Sequence, residues 1–220
     1  MKKLIFLFVG SLLVTGLFAQ SDKYMKAMQE KVAAIDTTHN TEALLDMANS
    51  FERIGDAEKT QWLPYYYSAF AHASAGLMMG VSTNGAMGGH ADQTDPEADK
   101  ADALIAKAEA LSKDNSEIWI VKKMIATLRM MGDPMTRYMV YGPQAAQALE
   151  TARRLNPENP RVYLLEGQDK FYTPEQFGGS KEEAKKLFEE AQKKFEAFKP
   201  ESSIHPTWGM SQVKWFLSQQ

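Results

Sequence analysis

Cysteine is absent from the chain, which excludes disulfides, a thiolate nucleophile and a lipid-modified cysteine behind a leader. Basic charge is also scarce: 25 Lys and Arg face 28 Asp and Glu, for a formal net charge of −3. No basic stripe is available to a phosphate backbone, so nucleic acid is excluded as a partner. The signatures HExxH, GxSxG and GKS or GKT are missing, and with them the commonest routes to hydrolytic and phosphate chemistry. Four histidines are present, His39, His72, His90 and His205, none paired with another at the helical spacing that a metal site favours. His90 with Asp92 and Asp95 lacks the alternating acids of a calcium loop and reads as solvated. Met78, Met79 and Met87 read as gap fillers between helices rather than soft-metal ligands. The sequence therefore predicts no catalytic residue, no metal and no cofactor, and a binding protein rather than an enzyme.

One apolar run stands out. Met1, Lys2 and Lys3 precede an apolar stretch from Leu4 to Phe18 that ends in Ala19, the layout of a cleavable export signal. It is shorter than the roughly 20 apolar residues of a membrane span. The expectation is a signal peptide over 1–19 and an exported protein, periplasmic or secreted, with no stable span after cleavage. Loss of Lys2 and Lys3 makes the remaining chain more acidic still. Hydrophobic residues make up 44% of the sequence, enough for one continuous core over 20–220.

Helix signals are frequent and strand signals almost missing. Caps, breakers and apolar spacing predict helices over Ser21–Ile35, Thr41–Ile54 with a stop at Gly55, and Thr60–Met79. The glycine-rich stretch 80–94 reads as a mobile surface loop. Further helices are expected over Asp95–Leu111 and Glu117–Met131. A non-helical connector over 132–142 then leads to Pro143–Leu155, Pro160–Tyr172, Lys181–Phe198 and Pro206–Leu217. In sequence order these form four hairpins and a closing helix, in which Trp208, Trp215 and Phe216 shield the last apolar edge.

The even helices share a small, large, small stripe: Ala101, Ile105 and Ala108; Ala145, Leu149 and Ala152; Ala184, Phe188 and Ala191. Two small residues around a large one let a second helix approach closely and receive a knob. The second helix offers a weaker version in Ala43, Met47 and Ser50. A shift of 44 residues also superposes Ala101, Ala108, Leu111, Asn115 and Trp119 on Ala145, Ala152, Leu155, Asn159 and Tyr163.

On these residues the chain resembles the tetratricopeptide-repeat family, whose second helix carries alanine, a large residue, alanine, leucine and then proline. Ala145, Leu149, Ala152, Leu155 and Pro157 follow that order, Ala184, Phe188 and Ala191 its first three terms, and Tyr163 with Gly167 fits the first helix. The repeat here is longer than the family's usual one. The resemblance implies an all-α, right-handed superhelix of about four hairpins with a capping helix, whose concave face holds a peptide or protein segment in the periplasm or cell envelope.

Trp62, Tyr65, Tyr66, Tyr67 and Phe70 crowd one helix too densely to share a single buried stripe. If the first helices of the hairpins line the groove, Trp62, Tyr65, Tyr66, Arg161, Gln168 and Tyr172 are its candidate binding residues, offering large area with a hydrogen-bonding tip. The principal expectation is a non-catalytic protein- or peptide-binding scaffold. The alternative is a module whose helical curve forms an aromatic pocket for a lipid or other organic solute in transport.

Overall fold

In a computed structural model, residues 22–81 and 89–219 are described. The expected signal segment 1–19 and residues 82–88 of the glycine-rich loop lie outside them. Helix α1 covers 22–35. It is followed by α2 (Thr41–Glu58), α3 (Trp62–Met79), α4 (Ala91–Leu111), α5 (Ser116–Gly132), α6 (Pro134–Leu155), α7 (Pro160–Tyr172), a 3-10 turn (Glu175–Phe177), α8 (Lys181–Ala197) and α9 (Met210–Ser218). The fold is all-α, with no strand among the described residues. Most consecutive helices pack side by side, and α3 also packs on α5, so the first helices of neighbouring hairpins touch.

Helix starts follow local chemistry. Asn40, Asn115, Asp133, Asn159 and Ser180 each accept a hydrogen bond from a backbone N–H of the first turn that follows, satisfying donors that the helix itself leaves free. Pro134 and Pro160 occupy first helical positions, where the missing N–H loses nothing.

The alanine stripe is the packing surface. All nine of its residues on α4, α6 and α8 are buried, with Ala101, Ala108, Ala152, Ala184, Phe188 and Ala191 at 0% exposure. Gly167 of α7 completes it: a Cβ there would sit 2.6 Å from the Phe188 ring, so glycine is what lets α7 and α8 close on that aromatic. On α2 the buried residues are Leu44, Ala48, Phe51 and Gly55, one position on from the weaker match at Ala43, Met47 and Ser50.

Several boundaries differ from the sequence expectation. Helix α2 continues through Gly55 to Glu58, because Gly55 is buried under the Tyr65 ring rather than marking an end. The stop falls at Lys59, in left-handed backbone with φ 56°. Helix α4 begins at Ala91, with Pro96 inside it. The connector 132–142 is helical: Asp133 caps it through Thr136, Pro134 opens it and Pro143 lies within α6. Aspartate followed by proline is a start signal as readily as a stop. Asp95 is held by Arg137 at 2.6 and 2.8 Å, which ties α4 to the start of α6. The last helix starts at Met210, and Pro206 and Trp208 belong to an irregular segment of bends and turns before it. Trp208 and Phe216 are buried while Trp215 is half exposed.

Phe188→Ala is expected to destabilise the fold by about 3–5 kcal/mol and Gly167→Ala by about 1–3 kcal/mol, read as a lower urea midpoint. Alkaline titration gives a second test. Burial raises the Tyr24 phenol to about 12, and burial with the Asp56 carboxylate raises Tyr65 to about 12. A raised phenol stabilises the folded state fully below its unfolded value of 10.0. That stability is lost as pH rises from there through about 12. Urea midpoints are therefore expected to fall over that interval, and less so in Tyr65→Phe.

Candidate functional site

Past α8 the chain does not end at the edge of the stack but turns back across it. Residues 199–209 form a strap that reaches α1 and α3. Tyr67 Oη donates to the Ile204 carbonyl at 3.1 Å, Gln29 Nε2 to Ser203 Oγ at 2.7 Å, and the Gly209 N–H to Asp36 at 3.1 Å. Trp208 donates its indole N–H to Tyr66 Oη at 2.8 Å and packs on Phe70 with centroids 4.4 Å apart. The face of α3 and α7 expected to be open to a partner is thus covered by the chain itself. The physical reason is apolar complementarity: Ile204 and Trp208 are 3% and 2% exposed against the aromatic side of α3.

Behind the strap lies a buried polar cluster. Arg161, at the second position of α7, is wholly buried. Its Nη1 donates to Glu117 Oε1 at 3.0 Å, and its guanidinium carbon lies 5.0, 5.3 and 5.6 Å from the Trp208, Phe198 and Phe195 rings. Glu117, at the second position of α5, also accepts from Asn159 Nδ2 at 2.9 Å and Tyr66 Oη at 3.1 Å. Burial and the Glu117 charge push the Tyr66 phenol well up from its ordinary range.

Between the strap, the start of α3 and the α4–α5 turn is a cleft of about 460 Å³, within the size range of small-molecule sites. Trp62 and His205 both line it and pack edge to face on one another, their rings at 63° with centroids 5.9 Å apart. Lys113 and Lys199 bring cations to the lining, and Asp114 and Glu201 bring carboxylates. His205 Nδ1 lies 2.8 Å from Ser202 Oγ, and its Nε2 is 3.2 Å from Glu201, whose side chain is largely exposed. The arrangement provides an aromatic face, an imidazole held at Nδ1 by Ser202 and at Nε2 by an exposed carboxylate, and cations for an acidic group. A second cavity of about 300 Å³ is lined by Trp119, Lys122, Arg129 and Gln147. Its cations are already engaged, Lys122 by Glu109 and Arg129 by Asp99 and Asp102.

Of the six residues expected to line a groove, the structure brings three together. Trp62 lines the cleft, and Tyr66 and Arg161 stand behind it, both bonded to Glu117. Tyr65 lies apart, over Gly55 and hydrogen-bonded to Asp56. Gln168 bonds Gln212 of α9 at 3.1 Å, and half-exposed Tyr172 meets Phe171 and Phe216 at the far end of α7. Sequence reasoning missed His205, Glu117 and the role of Trp208. The 44-residue repeat carried a signal for one of them, since it superposes Glu117 on Arg161.

No family model and no curated protein matches the chain. Among solved structures it is similar to the HusA haemophore from Porphyromonas gingivalis, at 32% sequence identity and a TM-score of 0.76, over 89% of this chain and 92% of that one. That relative is a carrier by name, in keeping with a binding protein rather than an enzyme. At this identity over nearly the full length of both proteins, the chain belongs to the family of the HusA haemophore.

Proposed function

We propose that this protein binds a haem-class tetrapyrrole as cargo in the cleft lined by Trp62 and His205. The reading follows the small-ligand alternative of the sequence over its protein-scaffold reading. The observation that carries it is an indole and an imidazole packed together on the wall of a ligand-sized cleft, in a chain whose relative is a haemophore. The residues suit the cargo. In the tautomer that donates Nδ1–H to Ser202 Oγ, His205 Nε2 would hold a lone pair for an iron centre once the largely exposed Glu201 carboxylate, 3.2 Å from it here, swings away. Trp62 offers a flat apolar face to a planar macrocycle, and Lys113 and Lys199 offer charge to its carboxylates.

The finer sequence readings support the same role. The buried alanine stripes and the contact of α3 with α5 favour a tetratricopeptide-like stack as the frame. The basic and apolar leader favours export, and no helix among the described residues is long and apolar enough to cross a membrane. A protein partner has one observation of its own. Met135, Tyr138, Met139 and Val140 at the start of α6 are 54–93% exposed, an apolar surface of the kind that mediates association.

Haemin titration is expected to shift the Soret band and quench tryptophan emission. His205→Ala is expected to weaken haemin binding at least about tenfold, a loss of about 1.4 kcal/mol, while leaving iron-free protoporphyrin unaffected. Trp62→Ala is expected to weaken both. Failure of the unaltered protein to bind haemin or protoporphyrin overturns the proposal, and an unchanged haemin spectrum in His205→Ala overturns the role of His205.

A further inference from the structure

The strap that carries His205 is attached in a way no helix of the molecule is. Among the described residues, one backbone hydrogen bond lies within 199–209, from His205 N–H to Ser202 O. The rest of its hold is lateral: side-chain bonds to Gln29, Tyr66, Tyr67 and Asp36, and the burial of Ile204 and Trp208. Segments with few backbone bonds of their own open at lower free energy than the helices around them.

Two further features mark where it turns and what holds it. Gly209 adopts φ +117°, and a Cβ there would lie 2.6 Å from Phe195 and 3.0 Å from Leu164. Only glycine fits this bend into α9, so the bend concentrates backbone freedom at one end of the strap. Trp208 is the anchoring side chain, seated on Phe70, Arg161 and Tyr66. Beneath it Arg161 is wholly buried, its guanidinium against the Trp208, Phe198 and Phe195 rings. Opening would return part of that charged group to water, which offsets part of the loss of apolar contact.

From this we infer that residues 199–209 are a movable strap, with Gly209 as hinge and Trp208 as latch, and that cargo enters and leaves the Trp62/His205 cleft when the strap unlatches. The inference rests on the reading of the cleft given above for its cargo, and on the strap alone for its motion. His205 and Trp208 lie on the same short segment, so the group facing the cargo cannot withdraw without disturbing the latch. Lys199 and Glu201 leave the cleft wall with it.

The absence of native cysteine makes a direct test clean. Gln29 and Ser203 are both exposed and lie in contact. In the double variant Gln29→Cys, Ser203→Cys, a short bis-maleimide ties the strap to α1, and the same variant capped with N-ethylmaleimide is the control. Transfer of bound haemin to a globin scavenger is expected to be at least tenfold slower in the tied protein, and equal rates overturn the gating role. Hydrogen exchange on the cargo-free protein tests the motion independently. Strap amides are expected to exchange at least tenfold faster than those of Leu164 and Leu165 in α7. Trp208→Phe, which keeps a ring but loses the bond to Tyr66, is expected to accelerate the strap amides alone. Strap protection equal to that of α7 overturns the motion whether or not haemin binds. Absence of haemin binding with a fast-exchanging strap instead overturns the reading of the cleft and the cargo-gating role, while the motion stands.

Discussion

Burying a guanidinium is expensive, and Arg161 is buried completely. The molecule meets that expense by placing a carboxylate on one side of the group and aromatic faces on another. Glu117 reaches Arg161 from the hairpin before it, and the Tyr66 hydroxyl and Asn159 amide share the same carboxylate. Removing either charge would strand the other in a poorly solvated interior, a far larger penalty than the pair's net contribution. The pair is thus better understood as a device of registration. It is satisfied only when α3, α5, α7 and the strap all stand where they do, and helix positions that apolar packing alone would permit leave it unsatisfied.

The strap follows from the same arrangement. A stack of hairpins leaves one face of its first helices without a neighbour, and on α3 that face is aromatic: Tyr66, Tyr67 and Phe70 are all at most 4% exposed once covered. Ile204 and Trp208 provide the cover, so the chain fills its own groove. Only the end of that groove, at Trp62, remains open to a ligand. The inner surface is thus occupied by the protein's own segment 199–209, and what is left at its end is the cleft lined by Trp62 and His205.

Much of the frame was legible in the amino-acid order because it depends on local rules. Ala101 to Ala108, Ala145 to Ala152 and Ala184 to Ala191 are close neighbours on a helix, so their burial follows from spacing. Asn115 and Asn159 announce helix starts for the same reason. What was illegible depends on contacts across long separations. Nothing near Trp208 reveals that its partner is Tyr66, 142 positions away, and nothing near Arg161 reveals that its face is covered rather than open. The aromatic crowd on α3 was noticed but read as a surface for another protein, because the segment that covers it looked like the first turn of a closing helix. Pro206 and Gly209 were the local clue, since a proline followed by a glycine three residues later suits a bent irregular segment at least as well as a helix start.

On the proposed reading, placing the cargo-facing imidazole of His205 and the core-filling indole of Trp208 on one short segment joins two free energies, that of binding and that of strap closure. Whatever the cargo gains from His205 is gained only when the strap is closed, so the apparent affinity is the intrinsic affinity scaled by the closed fraction. A ligand that contacts Trp62 and the rim cations but makes no bond to His205 draws less on that equilibrium. The proposed coupling would thus distinguish a metal-bearing macrocycle from its metal-free counterpart without depending on shape. The same coupling would limit how tightly the cargo is held. Burial of the Arg161 guanidinium beneath Trp208 counts against the closed state, and on the proposed reading release of cargo is served by a latch that does not hold too firmly.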